Sequence, residues 1–226
     1  MNRVIGIVRT HLADRWAWLV LPWVIMGMSF VCNLIIGSLA DDKIYTGGLA
    51  SIYVYLFVLG IVTVGQTFPF IIGFGARRKD YFLGTIASIT IISVLSAIVL
   101  IILGYIERQT GYWGVGLYFF NVRYLSDGPI LERFWVYFTM MINLYFCGFA
   151  ISSIHRKFGR NGVFFFFIGL GVVLTAASYF ISKYDKWKAI IDWFADLAVI
   201  ELANGLFVGT LICILVSYVL LRKATV

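Results

Sequence analysis

The chain has 226 residues, of which 62% are hydrophobic and only 13% charged, roughly half the charged share of a soluble domain. That balance excludes a soluble enzyme or a nucleic-acid-binding module and points to an all-α integral membrane protein with a single transmembrane domain over residues 1–226. The net charge of +7 therefore carries information through its distribution along the chain rather than through its sum.

Residues 1–15 read as a surface helix. Val4, Ile5, Val8, Leu12 and Trp16 form an apolar stripe, while Asn2, Arg3, Thr10 and Asp14 fall mostly off it, as in a helix lying in a membrane interface. The alternative is the charged flank of a first span. Six segments are then long enough to cross a bilayer, which takes about 20 helical residues: 16–40, 48–72, 82–106, 134–154, 163–182 and 204–221. None contains Asp, Glu, Lys or Arg. "GSLADD" after the first resembles a cleavage site, but the apolar run 19–36 exceeds the core of about 7–15 residues of a signal peptide, so the first span is read as retained.

Lys and Arg set the orientation. If the N-terminus is cytoplasmic, eleven basic residues fall inside, in 1–15, 73–81, 155–162 and 222–226, against seven outside. Of the acidic residues, only Asp14 and Asp80 fall inside. Both termini are expected in the cytoplasm, and so is the charged turn between the second and third spans. There Pro69, Gly73 and Gly75 are expected to break the helix. Arg77, Arg78, Lys79, Asp80, Tyr81 and Phe82 are expected to form a short helix parallel to the membrane, with Tyr81 and Phe82 as apolar anchors. Gly84 is expected to allow a close neighbour.

The loop 107–133 holds Tyr112, Trp113, Tyr118, Phe119 and Phe120, which suit an interfacial aromatic belt. Asp127 reads as a cap and Pro129 as an early residue of the fourth span. In the loop 183–203, Trp187, Ile190, Ile191, Phe194, Leu197 and Ala198 recur at helical spacing opposite Lys188, Asp192 and Asp196. That is an outer amphipathic helix, lying at the interface or re-entrant, with Glu201 and Asn204 brought toward the bilayer in the re-entrant case. Gly205 and Gly209 make a G-x-x-x-G, a packing surface or a chance match.

Inside the spans the polar groups are Asn33, Gln66, Asn143, Asn204 and scattered Ser and Thr. They either tie helices together or line a path for an amphiphile. Ionisable groups of the kind that drive proton- or sodium-coupled carriers are missing from the spans. Cys32, Cys147 and Cys213 lack paired spacing and read as small hydrophobes rather than a disulfide or metal site. His11 and His155 read as interfacial polar residues. No phosphate loop, H-E-x-x-H or G-x-S-x-G occurs. The chain is therefore not expected to be an enzyme, and energy for work must enter through a contact outside the bilayer.

The segment "FPFIIGFGARRKDYFLGT", 68–85, resembles the loop between the second and third spans of bacterial ABC exporter permeases of the second type. The matching residues are Phe68, Phe70, Gly75, Arg78, Asp80, Tyr81, Phe82, Gly84 and Thr85; the pair Ala76 and Arg77 departs from the pattern. The resemblance implies a coupling helix at Gly75 and 77–82 that docks a separate ATP-binding subunit. It also implies two such ATPases holding ATP and Mg, a second permease subunit as homodimer or heterodimer, and a bacterial cell membrane. By the same resemblance the transporter works by alternating access, exporting an amphipathic peptide, antibiotic or lipid-like solute. This chain itself would bind no cofactor or metal. Two other classes remain open: a non-transporting scaffold or immunity protein using the same loop, and an intramembrane enzyme.

Overall fold

Apolar runs of this length leave the backbone no water to bond to, and a helix satisfies every amide within itself. The computed structural model describes residues 3–40, 42–122, 128–222 and 224. Its elements are α1 (Arg3–Ala13), a π-helical turn (Trp16–Val20), α2 (Leu21–Leu39), α3 (Ala50–Gly73), α4 (Arg78–Gln109), α5 (Ile130–Lys183), α6 (Trp187–Asp196) and α7 (Val199–Arg222). Two short strands, β1 (Ile44–Tyr45) and β2 (Leu117–Tyr118), pair in parallel. Among the described residues five helices are long and apolar enough to cross a membrane, and the protein is an all-α membrane protein. Asp127, Asn2, Asp41, Arg123 and Lys223, which entered the capping, stripe and charge readings, lie outside the described residues.

The helix α5 has 54 residues. Straight, it would be roughly 80 Å long, far more than a bilayer core of about 30 Å. It is broken at Gly159, whose φ of 70° and ψ of −169° suit only a residue without Cβ. The break divides it into a first arm, 130–158, and a second arm, 160–183.

Contacts sort the helices into two directions. Along α3, Gly60 meets Tyr145 and Phe149 of the first arm, and farther on Arg156 lies over the Phe68 ring. Along α7, Asn204 accepts from Trp135 Nε1, Thr210 Oγ1 from Asn143 Nδ2, and Cys213 Sγ lies 3.9 Å from Cys147 Sγ. Both series rise together, so α3, the first arm and α7 run the same way. The opposite sense holds for α4, which meets the first arm through Phe82 and Phe149 at one end and through Ile102 and Ile130 at the other. Likewise α2 opposes α3, with Tyr55 donating to the Ala17 carbonyl and Ser29 to the Gly48 carbonyl.

The tightest helix contact is between α3 and the first arm. A Cβ on Gly60 would strike the Tyr145 carbonyl, and one on Gly148 the Phe57 carbonyl. These two glycines, not the G-x-x-x-G, are where backbones touch. Gly205 faces open space, and a Cβ on Gly209 would only reach ordinary contact, 3.7 Å from Asn143 Nδ2.

α1 packs across the start of α4. Its inward stripe is Ile7 and His11, with Val4, Val8 and Leu12 half-buried, whereas Ile5 and Trp16 are exposed. The expected stripe was turned by part of a step, because Gly84 lets Ile7 sink onto α4. His11 is a buried residue of this contact rather than an interfacial one.

Candidate functional site

The turn between α3 and α4 is built by a glycine cap. Pro69 lies inside α3 and does not end it. It removes only the bond to the Gly65 carbonyl, and the helix runs on to Gly73. The chain turns at Gly75 (φ 80°), where the Gly75 amide donates to the Ile72 carbonyl and the Ala76 amide to the Ile71 carbonyl. This paired pattern is the Schellman end of a helix, which favours glycine at the left-handed position. Arg77 is extended and caps α4, whose first turn begins at Arg78. Asp80 lies in that turn, where the helix dipole favours a negative charge.

The expected short helix parallel to the membrane is therefore absent as a separate element. Nothing between Arg78 and Gly84 interrupts the helix, so 78–82 is the first part of the 32-residue α4. Tyr81 and Phe82 are not interfacial anchors. Tyr81 is 0% exposed, with its hydroxyl 2.9 Å from Thr67 Oγ1 and its ring edge-on to Phe68. Phe82 packs against Tyr218 and Phe149. Arg78 turns inward too, donating from NH1 to the Arg222 carbonyl at 2.7 Å and neutralising the carbonyl end of α7. Thr85 hydroxyl lies 3.1 Å from His11 Nε2. Most of the motif is therefore a clamp that fixes the turn to α1, α3, α5 and α7.

What remains outward is Arg77 and Lys79, exposed, and Asp80, half-buried. Two aromatics that the sequence reading did not assign to the surface join them. Phe74 is 79% exposed and stacks edge-on against the exposed Phe70 at 4.8 Å. The spacing i, i+4 at the end of α3 was the signal that could have found them. The result is a rigid surface of two aromatic rings and two cations, supported from beneath.

Basic segments gather at this end. The ends of α3, the first arm and α7 meet the start of α4 here, joined by the Arg78–Arg222 and Arg156–Phe68 contacts, and α1 lies across them.

The other sequence-assigned residues do not form one path. Asn33 accepts from Thr46 Oγ1 and donates to the Ser29 carbonyl. Asn143 donates to the Leu206 carbonyl and Thr210, and Asn204 accepts from Trp135, so these two share the α5–α7 seam. Gln66 is exposed on α3. The helix α6 carries Trp187, Ile191 and Phe194 exposed and Ile190 half-buried, so its apolar side is largely uncovered among the described residues. Leu197 and Ala198 fall just beyond it. There Glu201 Oε2 accepts from the Ala198 amide and caps α7.

At the opposite end lies a residue the sequence reading passed over. Glu107 is 0% exposed and accepts from the amides of Phe119, Phe120 and Asn121, from Trp113 Nε1 and from Asn121 Nδ2. Phe119 and Phe120 are thereby drawn into the core instead of joining an interfacial belt. The carboxylate thereby fastens the loop to α4.

No protein-family model matches this chain, and no curated protein or solved structure is significantly similar to it.

Proposed function

We propose that this chain is the transmembrane subunit of an ATP-driven exporter, and that it docks a separate ATP-binding subunit through the outward face of the α3–α4 turn. The observation that carries the reading is the division of the segment 68–85 into two halves. Tyr81, Phe82 and Arg78 lock the turn to four helices, while Phe70, Phe74, Arg77 and Lys79 present a firm aromatic and cationic surface. A surface that must transmit motion needs that rigidity, and aromatic and arginine side chains dominate docking energetics.

In this reading the chain has six spans. The helix α7 runs parallel to the first arm, so the chain must return across the same thickness between them. The second arm, about 36 Å long at 1.5 Å per residue, is long enough to do so. Both termini and the docking face lie on the cytoplasmic side, as basic residues favour. The helix α6 lies in the outer interface with lipid over its apolar side. A re-entrant position would require protein cover, and among the described residues only Ile190 of this side is half-buried. The second arm, uncovered over 164–180, is left for lipid or for a second permease subunit. The cargo class is an amphipathic peptide, antibiotic or lipid-like solute, moved by alternating access with ATP and Mg held by the partner.

The test is a pull-down of tagged protein in mild detergent from its native cells. It is run beside a variant carrying Phe74→Ala, Arg77→Glu and Lys79→Glu, which leaves the clamp intact. An ATP-hydrolysing subunit should co-purify with the parent and drop at least tenfold with the variant, the scale of two lost hot-spot residues. A co-purifying partner without ATPase activity would favour the scaffold reading. Equal, partner-free purification of both would remove the docking surface altogether.

A further inference from the structure

A cavity of about 180 Å³ opens where the start of α4 meets the end of α7, walled by Arg78, Lys79, Phe82, Tyr218, Leu221 and Arg222. Helical spacing explains the arrangement. Phe82 stands one turn in from Arg78 and Tyr218 one turn in from Arg222, so each helix brings a cation to the rim and an aromatic ring beneath it. The two rings meet with centroids 5.2 Å apart and close the floor together with the buried Leu221. Among the described residues no carboxylate lines the cavity.

The three cations are held differently. Arg78 is half-buried and fixed, donating from one terminal nitrogen to the Leu221 and Arg222 carbonyls at 3.4 and 2.7 Å. That contact uses one of its three nitrogens. Arg222 enters it only through its main chain, and its side chain is exposed, as is Lys79. Guanidinium and ammonium groups gathered in this way bind phosphate oxygens through charge-assisted hydrogen bonds. At about 30 Å³ for each water, the space equals roughly six waters, room for a phosphate group but not for a whole lipid.

The surface leading out of the cavity separates a lipid phosphate from a free one. Leu83 lies one turn beyond Lys79, and Leu215 one turn before Tyr218, on the same helix faces. They are 44% and 64% exposed. Apolar surface therefore continues from the cations toward the middle of α4 and α7, where acyl chains lie and where a free phosphate makes no contact.

We propose that this cavity binds the phosphate of one anionic phospholipid from the leaflet at this end, with an acyl chain over Leu83 and Leu215. The inference needs only that the chain spans a membrane. Arg222 is no part of the outward docking face, so a test at that residue stands apart from the ATPase reading. A zwitterionic head group would bring its own cation beside Lys79 and Arg222, so head-group charge decides retention.

The experiment mixes the purified full chain in mild detergent with equal amounts of dioleoyl phosphatidylglycerol and dioleoyl phosphatidylcholine, and counts retained lipid by native mass spectrometry. The parent should keep phosphatidylglycerol about tenfold over phosphatidylcholine, the scale of one charge-assisted hydrogen bond. Arg222→Gln leaves the main-chain contact to Arg78 in place and should lower that ratio about fivefold, the contribution of one basic residue at an anionic surface. Arg222→Lys should keep most of the ratio, with helix content by circular dichroism unchanged in both variants. Arg160→Gln, which removes an exposed cation outside the cavity, should not alter it, and excess inorganic phosphate should not displace the lipid. Equal retention of the two lipids by the parent would overturn the proposal, as would a ratio that survives Arg222→Gln. An equal fall with Arg160→Gln would also overturn it, by showing charge attraction without the cavity. So would displacement by inorganic phosphate, which would make this a site for a soluble anion.

Discussion

His11 shows how a single side chain sets the tautomer, the packing and the pH response of α1. Thr85 Oγ1 donates to the Tyr81 carbonyl at 2.9 Å, so it accepts from His11 Nε2–H at 3.1 Å. The Nδ1 lone pair is buried without a partner among the described residues, and the ring lies 4.7 Å from Trp18. Protonation would add a donor with nothing to receive it, and burial lowers the His11 pKa from 6.5 to about 4. A released α1 takes up this proton near pH 6.5 while the docked one does not until about pH 4. Docking is therefore at full strength above about pH 6.5 and weakens as pH falls through the window, by roughly tenfold per pH unit. Amide hydrogen exchange over 3–13, corrected for intrinsic rates, should show protection falling from pH 7.5 to pH 5, and His11→Phe should abolish the dependence. Neither this nor the Glu107 latch was legible in the sequence. Both depend on partners 74 and 12 to 14 residues away, which only the closed fold brings near.

At the scale of elements, hydrophobic length located the helices well. The expected segments 16–40 and 48–72 match the helical stretches Trp16–Leu39 and Ala50–Gly73 to within about two residues, the expected 204–221 starts five residues inside Val199–Arg222, and the amphipathic period placed α6. What the period could not reveal was which faces meet, because an all-round apolar helix has no inward stripe to read. Glycine pairing therefore shows only in the folded chain: Gly60 and Gly148 lie 88 positions apart in the sequence and together bring α3 onto the first arm. Gly148→Val should push these backbones apart and cost about 3 kcal/mol or more, beyond ordinary overpacking because the obstacle is a carbonyl rather than a mobile side chain. Gly205→Val, on the open side of α7, should leave the thermal midpoint of the detergent-solubilised protein nearly unchanged. Equal losses from the two substitutions would mean that the α3–α5 contact is not the close one. The motif 68–85 was legible as a unit, but its division into an inward clamp and an outward face was not. Tyr81 and Phe82 look like membrane anchors until Thr67, Phe68 and Tyr218 are found around them.

At the scale of the whole molecule, two ends with different chemistry face each other across the helices. One gathers Arg77, Arg78, Lys79, Arg156 and Arg222 around the ends of α3, the first arm of α5 and α7. The other is built from the Glu107 loop, the β1–β2 pair and the starts of α5 and α7. Charge asymmetry of this kind orients a membrane protein, and on the docking account it also places the rigid turn where a soluble ATPase can reach it. The most direct test puts a photo-crosslinking amino acid at position 74 in native membranes, with a second copy of the experiment at position 205 on the open side of α7. Crosslinking from position 74 to an ATP-binding protein, absent from position 205 and lost when Arg77→Glu and Lys79→Glu are added, is the predicted result. No crosslink from position 74, or the same adduct from both positions, would contradict the account.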